Sequence, residues 1–282
     1  MVNKADKYYL QVRKMQAVGL RCGYKIFEEQ MRTTYTVKLG CTTYIIGIPG
    51  HGKSEIHNEI LMRLSERYNL KHFYWSPEGG SVVRQIADLM SKYKRKPFND
   101  LKGTDFDEAF GFVNTYFHFL DFPTDELLDA TAFFDLAQKA ITLENLNTVS
   151  IDPWNELYHN FTPFSGREDM YLSFVLGKIR KFSEDNNIHA FIIVHPRTQY
   201  EKAAKGGGYK PINIYELSGG AMWANKAQSI LSIFREDFGT NEAALIFQKV
   251  KPKEVGSKGE LITNFNVNEN RYGEVRDREF RI

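Results

Sequence analysis

The apolar positions along the chain follow two periods. Thr43, Tyr44, Ile45 and Ile46 form a short uncharged run, β-branched and aromatic, which predicts a buried strand. Ile56, Ile60, Leu61 and Leu64 then recur at helical spacing, with Glu55, Glu59, Arg63 and Glu66 expected on the opposite, polar face. Further apolar runs at 73–75, 116–120, 149–151, 191–194, 229–234 and 244–250 predict strands. Helical patterns lie between several of them; over 168–184, Tyr171, Val175, Ile179 and Phe182 share one face. Strands alternating with helices predict an α/β fold, a mainly parallel twisted sheet flanked by helices. The last strands follow one another closely, with turn signals such as "EDFGTNE" between them, so antiparallel strands are expected near the C-terminal end.

Composition narrows the class only a little. A chain of 282 residues is long enough for one large domain. No apolar run approaches the roughly 20 residues of a membrane span, and the first residues, "MVNKADKYYLQVRKMQ", lack the apolar core of a signal peptide. The expectation is a protein without membrane association, working in the cytoplasm. Cys22 and Cys41 have neither metal-site nor redox spacing and read as reduced packing residues. A formal net charge of +2 does not announce nucleic-acid binding, which would have to rest on where the lysines cluster.

Chemistry enters with "GIPGHGKS", between the first predicted strand and helix. Gly-x-x-x-x-Gly-Lys-Ser is the P-loop spacing: glycines let backbone N–H groups face a phosphate, the lysine meets the β/γ-phosphates, and the serine hydroxyl meets Mg²⁺. Gly47, Pro49, Gly50, His51, Gly52, Lys53 and Ser54 are the candidate ATP-binding residues, on a strand-loop-helix where a helix N-terminus receives phosphate charge. Asp152 ends the run 149–151, where a carboxylate would hold magnesium with Ser54; the alternative is an Asp-Pro turn closing a strand. Glu78, in "SPEGG", stands beyond another strand tip, as a base for the attacking water or as a solvated turn residue. His195, in "IIVHPR", is placed to donate to a γ-phosphate or serves as a structural histidine. After Pro196 runs a long polar loop in which Arg197, Lys202, Lys205 and Lys210 supply charge for a nucleic-acid backbone, Gly206, Gly207 and Gly208 supply pliability, and Tyr200 and Tyr209 offer faces for bases; the alternative is a mobile, solvated loop.

Taken in order, GIPGHGKS, SPEGG, IDPWNEL, IIVHPR, IYELSGGAMWANKA and KVKPKEVGSKG resemble the RecA-like ATPase domain of DnaB-type replicative helicases, most of all the helicase half of Twinkle-like phage primase-helicases. The resemblance runs over about 19–272. It implies a DNA-dependent ATPase that forms a hexameric ring, with ATP and Mg²⁺ between subunits and single-stranded DNA in the channel. By position, it makes Lys53 and Ser54 the phosphate and magnesium residues, Glu78 the catalytic base, Asp152 the Walker B acid and His195 the γ-phosphate sensor, with 197–211 as the DNA-binding region.

The chain departs from that pattern at two places. Lys249-Val250-Lys251 stands where the family commonly has Lys-x-Arg, so the trans finger would be Lys251, a cation without arginine's planar fork. Gln228 stands at a position often acidic in relatives. Ahead of the RecA-like domain expected over 19–282, residues 1–18 carry Tyr8, Val12 and Met15 on a helical face, readable as a linker that docks on a neighbour or as a helix packed on its own domain. No stretch is long enough for a primase domain, so a primase or loader would come from another chain. Two other classes remain in view: a DNA-binding ATPase without unwinding activity, and a P-loop kinase or GTPase. "NKAQ" lacks the final acid of a guanine-reading motif, which weakens the latter.

Overall fold

The computed structural model describes residues 19–22, 35–123, 125–196, 209–273 and 276–277, the last pair by backbone alone. The reading of 1–18 as a docking helix lies outside the described residues. Two short antiparallel strands, β1 (Leu20–Arg21) and β2 (Thr36–Val37), precede β3 (Thr42–Ile46). The chain continues through α1 (Lys53–Tyr68), β4 (His72–Trp75), α2 (Val82–Lys94), α3 (Thr104–Tyr116), β5 (Phe117–Phe119), α4 (Ala130–Glu144), β6 (Thr148–Ile151), α5 (Glu168–Asn186) and β7 (His189–Val194). It closes with α6 (Gly220–Lys226), β8 (Ser229–Phe234), β9 (Glu242–Lys249), β10 (Gly259–Asn266), β11 (Arg271–Tyr272) and β12 (Arg276–Asp277).

The main sheet has the order β11-β10-β9-β8-β3-β7-β6-β4-β5, with β12 beside β10. From β5 to β8 its strands are parallel, and from β9 onward they are antiparallel, as the close spacing of the later apolar runs predicts. Every residue of β3, β4, β6, β7 and β8 is buried. Strand alternation divides the core in two. Ile45, Phe191, Ile193 and Leu231 join the cluster of α1 and α2, whereas Tyr44, Ile46, Ile192 and Val194 join that of α4 and α5.

Several buried polar groups in the strands are paired, although the Tyr44 hydroxyl is not. Thr42 N–H donates to the Gln228 amide oxygen at 2.8 Å, so Gln228 ties the start of β3 to the start of β8. His72 bridges Ser65 at 2.8 Å and Thr148 at 2.7 Å, and His189 bridges Thr43 at 2.9 Å and the Lys38 carbonyl at 2.7 Å. Burial pulls these imidazoles down, to about 3 for His72 and about 4 for His189, so both are neutral at pH 7. Cys22 and Cys41 are buried and free, consistent with packing roles.

One expectation fails on α1. Glu59, predicted on the polar face, is fully buried, because Arg63 one turn along the helix and Lys92 and Arg271 from farther along the chain close over it. Arg271 Nε donates to both Glu59 oxygens at 2.9 Å while its fork holds Glu66 at 2.8 and 3.0 Å; Arg63 and Lys92 complete the shell. Burial pushes the Glu59 carboxyl up, but Arg271, Arg63 and Lys92 outweigh it and hold the group below the usual range. The Tyr272 N–H also donates to Glu59 at 3.2 Å, so this network fastens β11 to the helix that follows the P-loop. Removing one partner of a buried ion pair leaves an uncompensated charge. Arg271→Met is therefore expected to cost about 3–5 kcal/mol in urea unfolding, and the double variant Arg271→Met/Glu59→Leu to recover part of that loss.

Candidate active site

Strands buried on both faces offer chemistry only at their ends, and in a parallel sheet the carboxyl ends lie along one edge. Here the loop after β3 carries Gly47 to Ser54, the turn after β4 carries Glu78, the tip of β6 carries Asp152 and the tip of β7 carries His195. All four sequence signals thus fall on the same edge of the sheet.

The P-loop is held from beneath and from the side. A Cβ on Gly47 would lie 2.5 Å from the Ile233 carbonyl oxygen, so only glycine permits this approach to β8. Gly52, at φ +90°, caps α1 and leaves no room for a Cβ, which would stand 2.7 Å from the Tyr272 hydroxyl. His51 turns inward: its Nδ1 accepts the Arg235 N–H at 2.9 Å, and its ring packs on Phe234 and Phe238 at 5.4 and 4.9 Å between centroids. Burial, with Lys53 and Arg235 nearby, pulls His51 down to about 4, so its side chain is a neutral anchor for the loop and offers phosphate only its backbone. Arg235 itself lies over the Phe238 ring at 4.9 Å. This pair flanks the loop, and no motif spacing announced it.

Lys53 is buried and donates to the Ile48 carbonyl at 3.1 Å. Burial pulls its ammonium down to about 8 against the opposing pull of Asp152 and Glu78. Asp152, 3% exposed, accepts from Tyr74 Oη at 3.0 Å and Ser76 Oγ at 3.4 Å, and the Ser54 hydroxyl lies near it. Burial raises the Asp152 pKa, and the three hydroxyls and Lys53 oppose that. Hard oxygen donors on Ser54 and Asp152 suit Mg²⁺, which takes one or two carboxylates and completes its shell with water and substrate phosphates. Among the described residues no three His, Cys, Asp or Glu side chains form a metal cage of their own, as this mode of binding requires none.

Glu78 is half-exposed and stands 3.7 Å from His195 Nε2. Burial, then the carboxylates of Glu156 and Asp152, raise its pKa, while Lys53 lowers it. Burial and Lys53 pull His195 down to about 4, leaving a neutral imidazole. Its backbone N–H donates to Asn155 Oδ1 at 2.8 Å. Asn155 and Glu156 lie inside the IDPWNEL motif, but nothing in their spacing ties them to partners on other strands.

The remaining candidates lie elsewhere. Arg197, Lys202 and Lys205 fall outside the described residues; Tyr209 and Lys210, where the description resumes, are exposed. Just beyond, the Ile212 carbonyl accepts from Ser232 at 3.0 Å and Gln248 at 2.6 Å, which seats the end of the loop on β8 and β9. Lys251 is exposed beyond the end of β9, whose Lys249 pairs with Ile230 near the start of β8. That is the edge opposite the P-loop, separated from it by at least about 13 Å of strand. Lys251 therefore stands too far away to act on a nucleotide held by its own subunit. Lys249 donates to the Ala224 carbonyl at 2.6 Å, and Arg271 is 2% exposed within the Glu59 network.

No protein-family profile matches the sequence. The chain is 28% identical over 271 residues to the Twinkle homolog protein, chloroplastic/mitochondrial, of Arabidopsis thaliana, a match that covers 92% of this chain and 36% of that protein. Among solved structures, the ATPase domain of G40P superposes with a TM-score of 0.77 at 14% identity, covering 98% of this chain and all of that one. A DnaB-like replicative helicase, described with its interactions with primase, superposes with a TM-score of 0.75 at 14% identity over 98% of this chain and 68% of that one. The fold is RecA-like, as in those structures. No described helix is long and apolar enough to cross a membrane.

The contact between Gly52 and Tyr272 is open to test. Gly52→Ala combines a left-handed backbone with a clash, and is expected to weaken nucleotide binding at least about tenfold in a fluorescent-ATP titration. Adding Tyr272→Phe, which removes the clashing oxygen, should restore part of that affinity.

Proposed function

We propose that the protein is an ATP-dependent DNA helicase of the replicative type, a ring motor that hydrolyses ATP at subunit interfaces to translocate on single-stranded DNA. The observation that carries this reading is the convergence of Lys53, Ser54, Glu78, Asp152 and His195 on one sheet edge, with Lys251 on the other. In a closed ring of like-oriented subunits, one edge of each domain meets the opposite edge of the next, so Lys251 would reach the neighbour's nucleotide. The similarity to a Twinkle homolog and to helicase ATPase folds supports the same reading.

Each residue has a part in that mechanism. The backbone of 47–54 and the Lys53 ammonium bind the β/γ-phosphates, and Ser54 and Asp152 hold Mg²⁺, which would offset charge on the phosphate oxygens when bound. Glu78 orients the attacking water and takes its proton, and neutral His195 donates to the γ-phosphate. Arg197, Lys202, Lys205 and Lys210 track the DNA backbone from the loop after β7. Residues 1–18 dock on an adjacent subunit, and a primase or loader from another chain is the expected partner; the DnaB-like helicase described with primase supports the latter. The compartment we propose, the cytoplasm of a bacterial or phage-infected cell, rests on the sequence alone, whereas the plant relative's own name points to organelles.

A second reading, a DNA-binding ATPase without unwinding activity, draws support from Lys251, because a lysine lacks the fork with which arginine spreads charge over a transferring phosphoryl group. Strand displacement on a tailed duplex separates the two: the motor unwinds and the second class does not. Glu78→Gln is expected to keep ATP binding while turnover falls by about 10²–10⁴. Near-normal turnover would remove Glu78 from the base role. Lys251→Ala should abolish DNA-stimulated hydrolysis, and mixing it with Lys53→Ala subunits should restore part of the activity, since some interfaces then pair an intact P-loop with an intact lysine.

A further inference from the structure

Near its end β9 departs from a regular ladder. Leu231 pairs with Phe247 and Ile230 with Lys249, so Gln248 is an extra residue without a cross-strand partner, the mark of a β-bulge. A bulge resets the alternation of side chains along its strand. Leu245 and Phe247 pack with the cluster of α1 and α2, and in a regular strand Lys249 would follow them. Instead Lys249 reaches the Ala224 carbonyl of α6, on the other face of the sheet. Gln248 turns to that face as well.

There its side chain makes the contacts of a missing peptide group. Nε2 donates to the Ile212 carbonyl at 2.6 Å, and Oε1 accepts the Ile214 N–H at 3.0 Å. A carbonyl and the N–H two residues on are the pair that a neighbouring parallel strand would engage. Ile212 and Ile214 are buried, so breaking this link would leave polar backbone without partners away from water. The loop that leaves the sheet at His195, on the P-loop edge, thus returns beside the strand that leads to the other edge. Lys251 stands in the short span that follows, which is anchored again where the Val255 carbonyl accepts from Thr36 Oγ1 at 2.8 Å and Glu254 pairs with Lys38 at 2.8 Å.

We infer that Gln248 is a positioning residue that ties the end of the loop after β7 to the strand end carrying Lys251, so that a change in the loop on DNA is passed to the lysine at the opposite edge. The inference rests on the proposed roles of that loop and of Lys251. Lys210, a proposed DNA contact, stands two residues before Ile212, so the path from DNA to Gln248 is short.

Hydrogen–deuterium exchange tests the link without reference to turnover. In the wild-type protein, single-stranded DNA should alter exchange in 209–214 and in 249–255 together. In Gln248→Met, which has a side chain of similar length but makes neither bond, 209–214 should still respond to DNA and 249–255 should not. An equal response of 249–255 in both proteins, or none there in the wild type, overturns the inference and leaves the loop's role in DNA contact standing. If DNA leaves 209–214 of the wild type unchanged, the reading of the loop fails and the inference falls with it. ATP hydrolysis gives the second readout: in Gln248→Met the DNA-free rate should stay within about twofold of wild type, while stimulation by DNA falls at least about fivefold, the low end of coupling between two sites. Undiminished stimulation, or an equal loss with and without DNA, overturns the inference. Should Gln248→Met fold poorly, Gln248→Glu, which keeps the acceptor for the Ile214 N–H and loses the donor to Ile212, carries the same readouts.

Discussion

A strand packed on both faces has nowhere to put functional groups except its ends, and this constraint organises the molecule. β3, β4, β6, β7 and β8 are buried throughout, and all run the same way, so their carboxyl ends bring the glycine-rich loop 47–54, Glu78, Asp152 and His195 to one edge. The reversal of direction at β9 has the opposite effect, carrying Lys249 and Lys251 to the far edge. With Lys251 in its proposed role, the site would be split between the two edges of one domain and complete only where two domains meet.

Among the described cations, the partner rather than burial separates those that hold the fold from Lys53. Arg271 and Lys92, at 2% and 1% exposure, neutralise Glu59 and bind β11 to α1. That places the Tyr272 hydroxyl against Gly52, so the ion network backs the loop proposed to hold phosphate. Lys53, buried as well, has no such fixed partner: it rests on a backbone carbonyl, an interaction a phosphate oxygen readily replaces. Lys251 is exposed at the opposite edge.

What the sequence reveals of this arrangement follows from the distance over which each signal acts. Periodicity is local, and β3 to β9 and the helix after the P-loop stand close to where apolar spacing puts them, whereas no such run marks β1, β2 or β10 to β12. The P-loop and the strand-tip positions of Glu78, Asp152 and His195 are also local patterns, readable without knowledge of the sheet order. Glu59 is not, because the arginine that buries it lies 212 residues away. His51 looks like a phosphate ligand within its motif, yet its ring is claimed by Arg235 and Phe238 from the far end of β8. Asn155 sits in plain view inside a motif, but its partner is at the tip of β7, and only the pairing of β6 with β7 brings them together.

The central claim is that the two sheet edges form one site across a subunit boundary. Electron cryo-microscopy of the protein with a non-hydrolysable ATP analogue, Mg²⁺ and single-stranded DNA tests it most directly. The account predicts a closed ring, with each γ-phosphate between Lys53 of one subunit and Lys251 of the next and DNA in the channel. Monomers, or an assembly in which nucleotide is bound with Lys251 turned to solvent, would contradict it.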